Sequence, residues 1–492
     1  MSEIKLQEQY QLYVGGQWRD ASDGKTLPTY SPSTGKQLAS IANASDRDVD
    51  DAVAAAHEAF QTWKITTPAQ RAKILNQIAD LISEHADFLA RVESSDNGKP
   101  LRETLAIDIP HAAEHFRYFA GAILADEGSA NMLDENTMSL ILHEPIGVVG
   151  QIIPWNFPFL MAAWKLAPVL ASGCCTVLKP SSTTSLSVLE LVKLIGSVVP
   201  AGVLNVITGS GSKAGNYMLG HEGFSKLAFT GSTEIGCSVA RSAADRLIPA
   251  TLELGGKSAN IFFPDCDWEM AMDGLQLGIL FNQGQVCCAG SRVFVHEDIY
   301  DRFVAEAVAR FAKVKIGLSL DQETQLGALV NQEQVEKVLG YVEVAKQEGA
   351  VIACGGKRYT AGGLDQGCYV EPTLITNVTN DMRIAQEEIF GPVACVIRFS
   401  SEEEVVAMAN ESEYGLGGAV WTRDINRAVR VARGIETGRV WVNTYNAIPA
   451  GAPFGGYKKS GVGRETHKVM LSHYTQMKNI LINLSEQPSG FY

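Results

Sequence analysis

Leu227-Ala228-Phe229-Thr230-Gly231-Ser232-Thr233-Glu234-Ile235-Gly236 passes from an apolar, strand-like run through a glycine-bounded turn into a helical pattern. A helix that starts this way offers free N–H groups and the positive end of its dipole, a setting suited to a pyrophosphate. An ordinary strand-to-helix turn looks the same, so the surroundings decide. Strands read at 148–153, 176–178, 204–207, 227–229 and 251–254, with helical patterns between them. That alternation is the signature of a parallel sheet covered by helices on both faces. Just upstream, Gly209-Ser210-Gly211-Ser212-Lys213-Ala214 follows a strand and fits G-x-G-x-x-G/A, although no acidic residue stands at the distance expected for a ribose. One such turn proves little. Two within one alternating unit favour dinucleotide binding.

Further out, a second alternating series runs over 258–443, so two Rossmann-like parallel-sheet domains are expected in an α/β chain. Before them, Leu12-Tyr13-Val14 and Gln17-Trp18 around Gly15-Gly16 read as a hairpin. Ser45 caps a helix through Trp63, Thr67-Pro68 opens one reaching Asn97-Gly98, and a third covers 101–120. Residues 123–145 carry a strand, Thr137-Met138-Ser139-Leu140-Ile141-Leu142, and read as an arm that leaves the domain and returns. Asn479-Ile480-Leu481-Ile482-Asn483 reads as a closing strand. The division predicted is 1–122 with 146–255 for dinucleotide binding, 256–458 for catalysis, and 123–145 with 459–492 as a small β oligomerisation arm and tail.

Composition narrows the class. The 492 residues are 46% hydrophobic and 20% charged, which is ordinary for a soluble globular enzyme of two to three domains. A net charge of −14 argues against nucleic-acid or anionic-membrane partners. The 9 cysteines are an odd count with no CxxC and no Cys/His cluster, so reduced thiols, no metal and a cytoplasmic location are expected. The N-terminus lacks a signal peptide's pattern. The apolar window 147–164 resembles a membrane span, but Pro154 and Pro158 around Asn156 break it into strand, turn and helix.

Candidate chemistry centres on Phe281-Asn282-Gln283-Gly284-Gln285-Val286-Cys287-Cys288-Ala289-Gly290-Ser291-Arg292, where two cysteines sit between a helical pattern and a strand-like run. A thiol at such a junction can face a cleft, and its thiolate is the nucleophile. Most lone cysteines are inert; the other motifs raise the odds for this one. Glu253, in Thr251-Leu252-Glu253-Leu254-Gly255-Gly256-Lys257, lies amid apolar residues, where burial raises a carboxyl's pKa and suits it to act as a base. An edge-strand Glu facing water fits the same pattern. Asn156, in Pro154-Trp155-Asn156-Phe157-Pro158, offers an amide donor to a developing oxyanion, or else supports its own turn. Lys179-Pro180-Ser181-Ser182 follows a strand at its carboxyl end, where such sheets bind ligands. Glu387-Glu388-Ile389-Phe390-Gly391-Pro392 and Pro453-Phe454-Gly455-Gly456-Tyr457-Lys458 add loops able to close over ligands.

In this order, PWNFP, KPSS, FTGST, LELGGK, GQVC, EEIFGP and PFGGYKKSG closely resemble the NAD(P)-dependent aldehyde dehydrogenase superfamily. The likeness runs over nearly the whole chain and is nearest to bacterial acetaldehyde or short-chain aldehyde dehydrogenases. It implies that Cys287 is the nucleophile, that Glu253 activates the deacylating water, and that Asn156 with the Cys287 N–H forms the oxyanion hole. For NAD or NADP it implies a site built by Ile152, Pro154, Trp155, Lys179, Ser181 and Ser182. Gly211, Gly215, Phe229, Thr230, Gly231, Ser232, Leu254, Gly255, Glu388 and Phe390 would complete it. Phe157, Met161, Trp164, Val286, Cys288, Ile448 and Phe454 would line the aldehyde's pocket. Ser182 stands where NAD-preferring members commonly carry Glu, which opens the site to NADP. Betaine-aldehyde enzymes usually show Trp where Phe454 stands. A homo-oligomer is implied as well, because an isolated two-strand ribbon is marginal in water. Two alternatives share these residues: a Cys-dependent hydrolase or acyltransferase, and an inactive binding protein on the same fold.

Overall fold

A computed structural model describes residues 4–492. The strands form two large sheets and three small ones among the described residues. The first sheet orders its strands Gly461–Val462, Ala250–Glu253, Lys226–Thr230, Val148–Ile152, Cys175–Lys179, Leu204–Val206, Leu12–Val14 and Gln17–Arg19. Its five central strands are parallel. The N-terminal hairpin closes one edge antiparallel, and Gly461–Val462 closes the other. The second sheet has seven strands, in the order Val351–Cys354, Thr373–Thr376, Val393–Phe399, Arg292–His296, Ala259–Phe262, Gly417–Trp421 and Arg439–Val442. All pair in parallel except the first.

The apolar window reads as expected. After Val148–Ile152 the prolines turn the chain into the helix Pro158–Ala171, buried along its whole length. A helix apolar on every face has no solvent side to expose and belongs inside a core. Among the described residues no helix is long and apolar enough to cross a membrane.

Two helices expected as single rods are broken. The segment opened by Thr67, whose side chain and that of Gln70 form a reciprocal cap, stops at Glu84; His85 leaves the helical region, and Ala86–Asn97 follows. The bend lets Pro68–Glu84 pack on Ile109–Leu124 while the second half turns into the core, where Val92 to Asn97 are all buried. Left-handed Gly98 (φ 93°) ends it. The third helix divides into Leu101–Glu103, a π-helical turn Thr104–Asp108, and Ile109–Leu124. The first break has no glycine or proline, so periodicity alone joins its pieces; the second has Pro110 in the first turn of Ile109–Leu124, where its missing N–H breaks the regular ladder.

The arm is a three-stranded antiparallel sheet. Thr137–Pro145 lies in its centre, between Ser129–Met132 and Thr475–Asn483. The closing strand is longer than its apolar run suggested, pairing from Thr475 to Asn483.

Candidate active site

The loop that carries Cys287 and Cys288 is built from the helix Trp268–Leu280, capped by the Asp267 carboxylate, which accepts the Met270 N–H at 3.2 Å. The helix runs into a tight turn, Phe281–Gly284, in which Asn282 (φ 46°) and Gln283 (φ 56°) adopt the left-handed region. Such residues cost on the order of 1–3 kcal/mol each and persist only where the surroundings over-determine them. Here they do. The Asn282 side chain donates to the Asn156 carbonyl at 2.7 Å, and Gln283 donates to the Ala328 carbonyl at 3.1 Å. Gly284 passes so close to the Gly391 carbonyl that a Cβ would meet it at 2.2 Å. The chain then reaches Cys287 and Cys288 and leaves through Arg292–His296.

Cys287 lies partly buried in the wall of a cavity of about 240 Å³, and Cys288 is buried beside it. The hydrogen bond with the Cys288 thiol, together with burial, holds the Cys287 thiol well above its usual range. It is therefore a neutral thiol in this state. Tyr445 pins the loop from behind, its hydroxyl donating to the Cys288 carbonyl at 2.8 Å.

Glu253 ends the strand Ala250–Glu253 and points inward, only 5% exposed, with Oε2 lacking any hydrogen-bond partner. The edge-strand alternative is thereby removed. Burial, then the neighbouring Glu465, pushes its carboxyl well above the usual range. Glu465 is itself paired with Lys165 inside the core. Asn156 supports the nucleophile loop rather than its own turn: its amide donates one N–H to the Gln285 carbonyl at 2.9 Å. That bond fixes the amide plane and leaves the second N–H available.

The same cavity is lined by Pro154, Trp155, Phe157, Met161, Trp164, Val286, Ile448 and Phe454. The Trp164 and Phe454 rings meet edge-on at 5.4 Å. Thr230, Gly231, Ser232, Leu254, Gly255, Glu388 and Phe390 line it too. The Glu388 carboxylate accepts the Gly256 N–H at 3.0 Å, and Phe390 meets Trp155 edge-on at 5.3 Å. Ser232 caps the helix Thr233–Asp245. The other expected residues lie outside this cavity. Ile152 and Lys179 end adjacent strands, with Ser181 and Ser182 half-exposed just beyond Lys179. Phe229 is buried beneath Gly231. Gly211–Gly215 forms a π-helical turn rather than the start of an α-helix, and Gly215 passes the Lys179 methylenes. Burial lowers the Lys179 ammonium to about 8.

Sequence reasoning missed several groups at the site. Gln334 and Lys337 reach the cavity from the helix Gln332–Gln347, and Ile107, His111, Leu160, Phe281 and Asn446 line it elsewhere. Each sits in a segment with an ordinary local pattern, so nothing in its neighbourhood marks it. Glu465 had a signal: an acidic residue next to the glycine-rich turn that supplies the last strand of the nucleotide sheet.

The aldehyde dehydrogenase family matches residues 18–480. The chain belongs to that family and is an oxidoreductase acting on aldehydes. An aldehyde dehydrogenase of Vibrio cholerae is 50% identical to it over 502 aligned positions, covering 100% of this chain and 98% of the relative. Among solved structures, the NAD+ complex of an aldehyde dehydrogenase from Bacillus cereus superposes with a TM-score of 0.96 at 44% identity, covering 98% of this chain and 100% of that one. Betaine aldehyde dehydrogenase from Staphylococcus aureus, also in complex with NAD+, reaches 0.96 at 41% identity, covering 98% and 96%.

Proposed function

We propose that the protein oxidises short-chain aliphatic aldehydes to carboxylic acids through a covalent Cys287 intermediate, with NAD or NADP as the oxidant. The observation that carries this reading is a thiol and an unpartnered buried carboxyl, Cys287 and Glu253, lining one apolar cavity. The residues fit a dinucleotide. Thr230 and Thr233 hold buried hydroxyls without partners at the start of a helix, and Gly231 leaves that start uncovered where a Cβ would strike the Phe229 ring at 2.5 Å. Lys179, Ser181 and Ser182 would hold the adenosine end, and Glu388 with Phe390 the nicotinamide end. When bound, the nicotinamide supplies a hydride acceptor.

The chain's own residues do the rest. Cys287 Sγ bonds to the aldehyde carbon as its thiol proton passes to solvent water, and the carbonyl electrons move to oxygen. The Asn156 amide and the Cys287 N–H hold the oxyanion, preorganised and shielded from water. Once the carbon has been oxidised to a thioester, Glu253 takes a proton from water, whose oxygen attacks that carbon; the C–S bond breaks and the acid leaves. Burial and Glu465 hold the carboxyl well above its ordinary range, so its anion is a stronger base than an exposed carboxylate. The apolar walls around Phe157, Met161, Trp164 and Phe454 suit an uncharged chain.

Mixing enzyme, cofactor and aldehyde in a rapid-mixing fluorimeter tests the reading. Wild type should give aldehyde-dependent reduced cofactor, Cys287→Ala none with cofactor binding intact, and Cys288→Ala a much smaller loss. Glu253→Gln should keep a single-turnover burst and then stall. Absence of aldehyde-dependent reduction, or a Cys287→Ala variant that still turns over, would overturn it. A panel that includes betaine aldehyde settles the substrate class; a preference for it would replace the aliphatic assignment.

A further inference from the structure

The nucleophile turn is held from below by a residue outside the cavity. Glu103 closes the short helix Leu101–Glu103, at the junction with the π-helical turn Thr104–Asp108. In a π-turn, groups five residues apart come onto one face. Glu103 and Asp108 are so spaced, and both are buried. Asp108 takes Lys99 at 2.8 Å, and Glu93 shares that lysine at 3.4 Å. Lys99 is thus committed to other carboxylates, and no salt bridge involves Glu103 among the described residues. Its hydrogen bond is to the backbone: Oε2 accepts the Asn282 N–H at 3.0 Å, across 179 positions of sequence. A carboxyl buried without a cation is costly to keep, and a left-handed Asn282 is costly too. The two meet at one bond.

That bond is the first in a chain. With its backbone fixed by Glu103, Asn282 donates its side-chain amide to the Asn156 carbonyl at 2.7 Å and to the Gln285 carbonyl at 3.3 Å. Asn156 returns to the same Gln285 carbonyl at 2.9 Å, and Asn97 holds the Trp155 carbonyl at 2.7 Å. The amide assigned to the oxyanion and the loop that carries the thiol therefore share one support. We propose that Glu103 is a positioning residue: by accepting the Asn282 N–H it holds Asn156 and the Cys287 backbone N–H in register as oxyanion donors. This rests on the thiol mechanism above.

The consequence is selective. Attack on an aldehyde needs the oxyanion donors, whereas alkylation of Cys287 by iodoacetamide displaces iodide and forms no tetrahedral oxyanion. Glu103→Met removes the acceptor at similar volume. Glu103→Gln keeps a carbonyl acceptor.

Three quantities are measured on the full chain: the burst rate of reduced cofactor, the iodoacetamide alkylation rate, and cofactor affinity by fluorescence titration. In Glu103→Met the burst rate should fall tenfold or more while the other two stay within about twofold, and Glu103→Gln should restore the burst to within about threefold. An unchanged burst in Glu103→Met overturns the proposal. So does a parallel fall of all three quantities that Glu103→Gln fails to relieve. Should Glu103→Met not fold, Asn282→Gly decides: glycine tolerates the left-handed turn but lacks the amide that reaches Asn156. It should show the same selective loss, and a normal burst would sink the relay. A wild-type enzyme with no aldehyde-dependent reduction of cofactor, or a Cys287→Ala variant that still turns over, would instead refute the thiol mechanism, so the two failures are distinguishable.

Discussion

Ser182 shows how one side chain can set cofactor choice. It sits half-exposed just past the strand Cys175–Lys179, three positions beyond a buried ammonium with no carboxylate in contact. A carboxylate at this position would hydrogen-bond a ribose 2′-hydroxyl and repel a 2′-phosphate; a serine hydroxyl lacks that repulsion and can donate to the phosphate. The protein is therefore expected to use NADP appreciably, and Ser182→Glu should shift preference toward NAD. A like-charge contact in a partly solvated site is worth about 1–3 kcal/mol, or roughly tenfold to a hundredfold in the ratio of kcat/KM for the two cofactors. An unchanged ratio would mean that the side chain faces away from the 2′ position. At this scale the sequence was legible where candidates are marked by residue type within a local motif, as with Cys287 and Asn156, which line one cavity. It did not reveal that Glu465 and Lys165 are Glu253's neighbours, because both come to it from distant segments.

Elements were legible to the extent that their ends are signalled locally. Ser45 caps its helix where expected, accepting a backbone N–H of the first turn. The break at His85 carries no such signal, whereas the π-turn at Thr104–Asp108 leads into Pro110, which opens the next helix. The helix behind the nucleophile gives a case where packing and propensity oppose each other. Gly274 lies within Trp268–Leu280, where alanine would gain about 1 kcal/mol in helix propensity. A Cβ there would meet the Trp421 ring at 2.0 Å. The indole is itself held, its N–H donating to Asn260 at 2.7 Å, so it cannot yield cheaply. Overpacking of this kind costs about 1–3 kcal/mol. The clash should win, and Gly274→Ala should lower the urea midpoint of unfolding. A midpoint equal to or above wild type would show that the indole moves aside.

The whole molecule is organised by chain segments that cross between layers. The arm's central strand, Thr137–Pro145, pairs along its length with Thr475–Asn483, which leaves Met132, Leu142, Met477, Ile480 and Leu481 exposed. An apolar sheet of this kind is a surface that assembly covers. A dimer or tetramer is expected in solution, and deletion of residues 475–492 should shift sedimentation toward the monomer. A full chain that sediments as a monomer at micromolar concentration would refute this.

From the sequence alone come the alternation of strand and helix, the two sheets, the order of the motifs and the candidate thiol, Cys287. All of these depend on contacts between near neighbours: period, caps, turn residues and short motifs are local quantities. Tertiary structure alone decided which groups surround them. It set Glu465 beside Glu253 by returning Gly461–Val462 to the edge of the nucleotide sheet, and it brought Glu103 to Asn282 through a helix broken by a π-turn. Those pairings lie hundreds of residues apart and follow from how the layers stack, and no window of sequence contains that information.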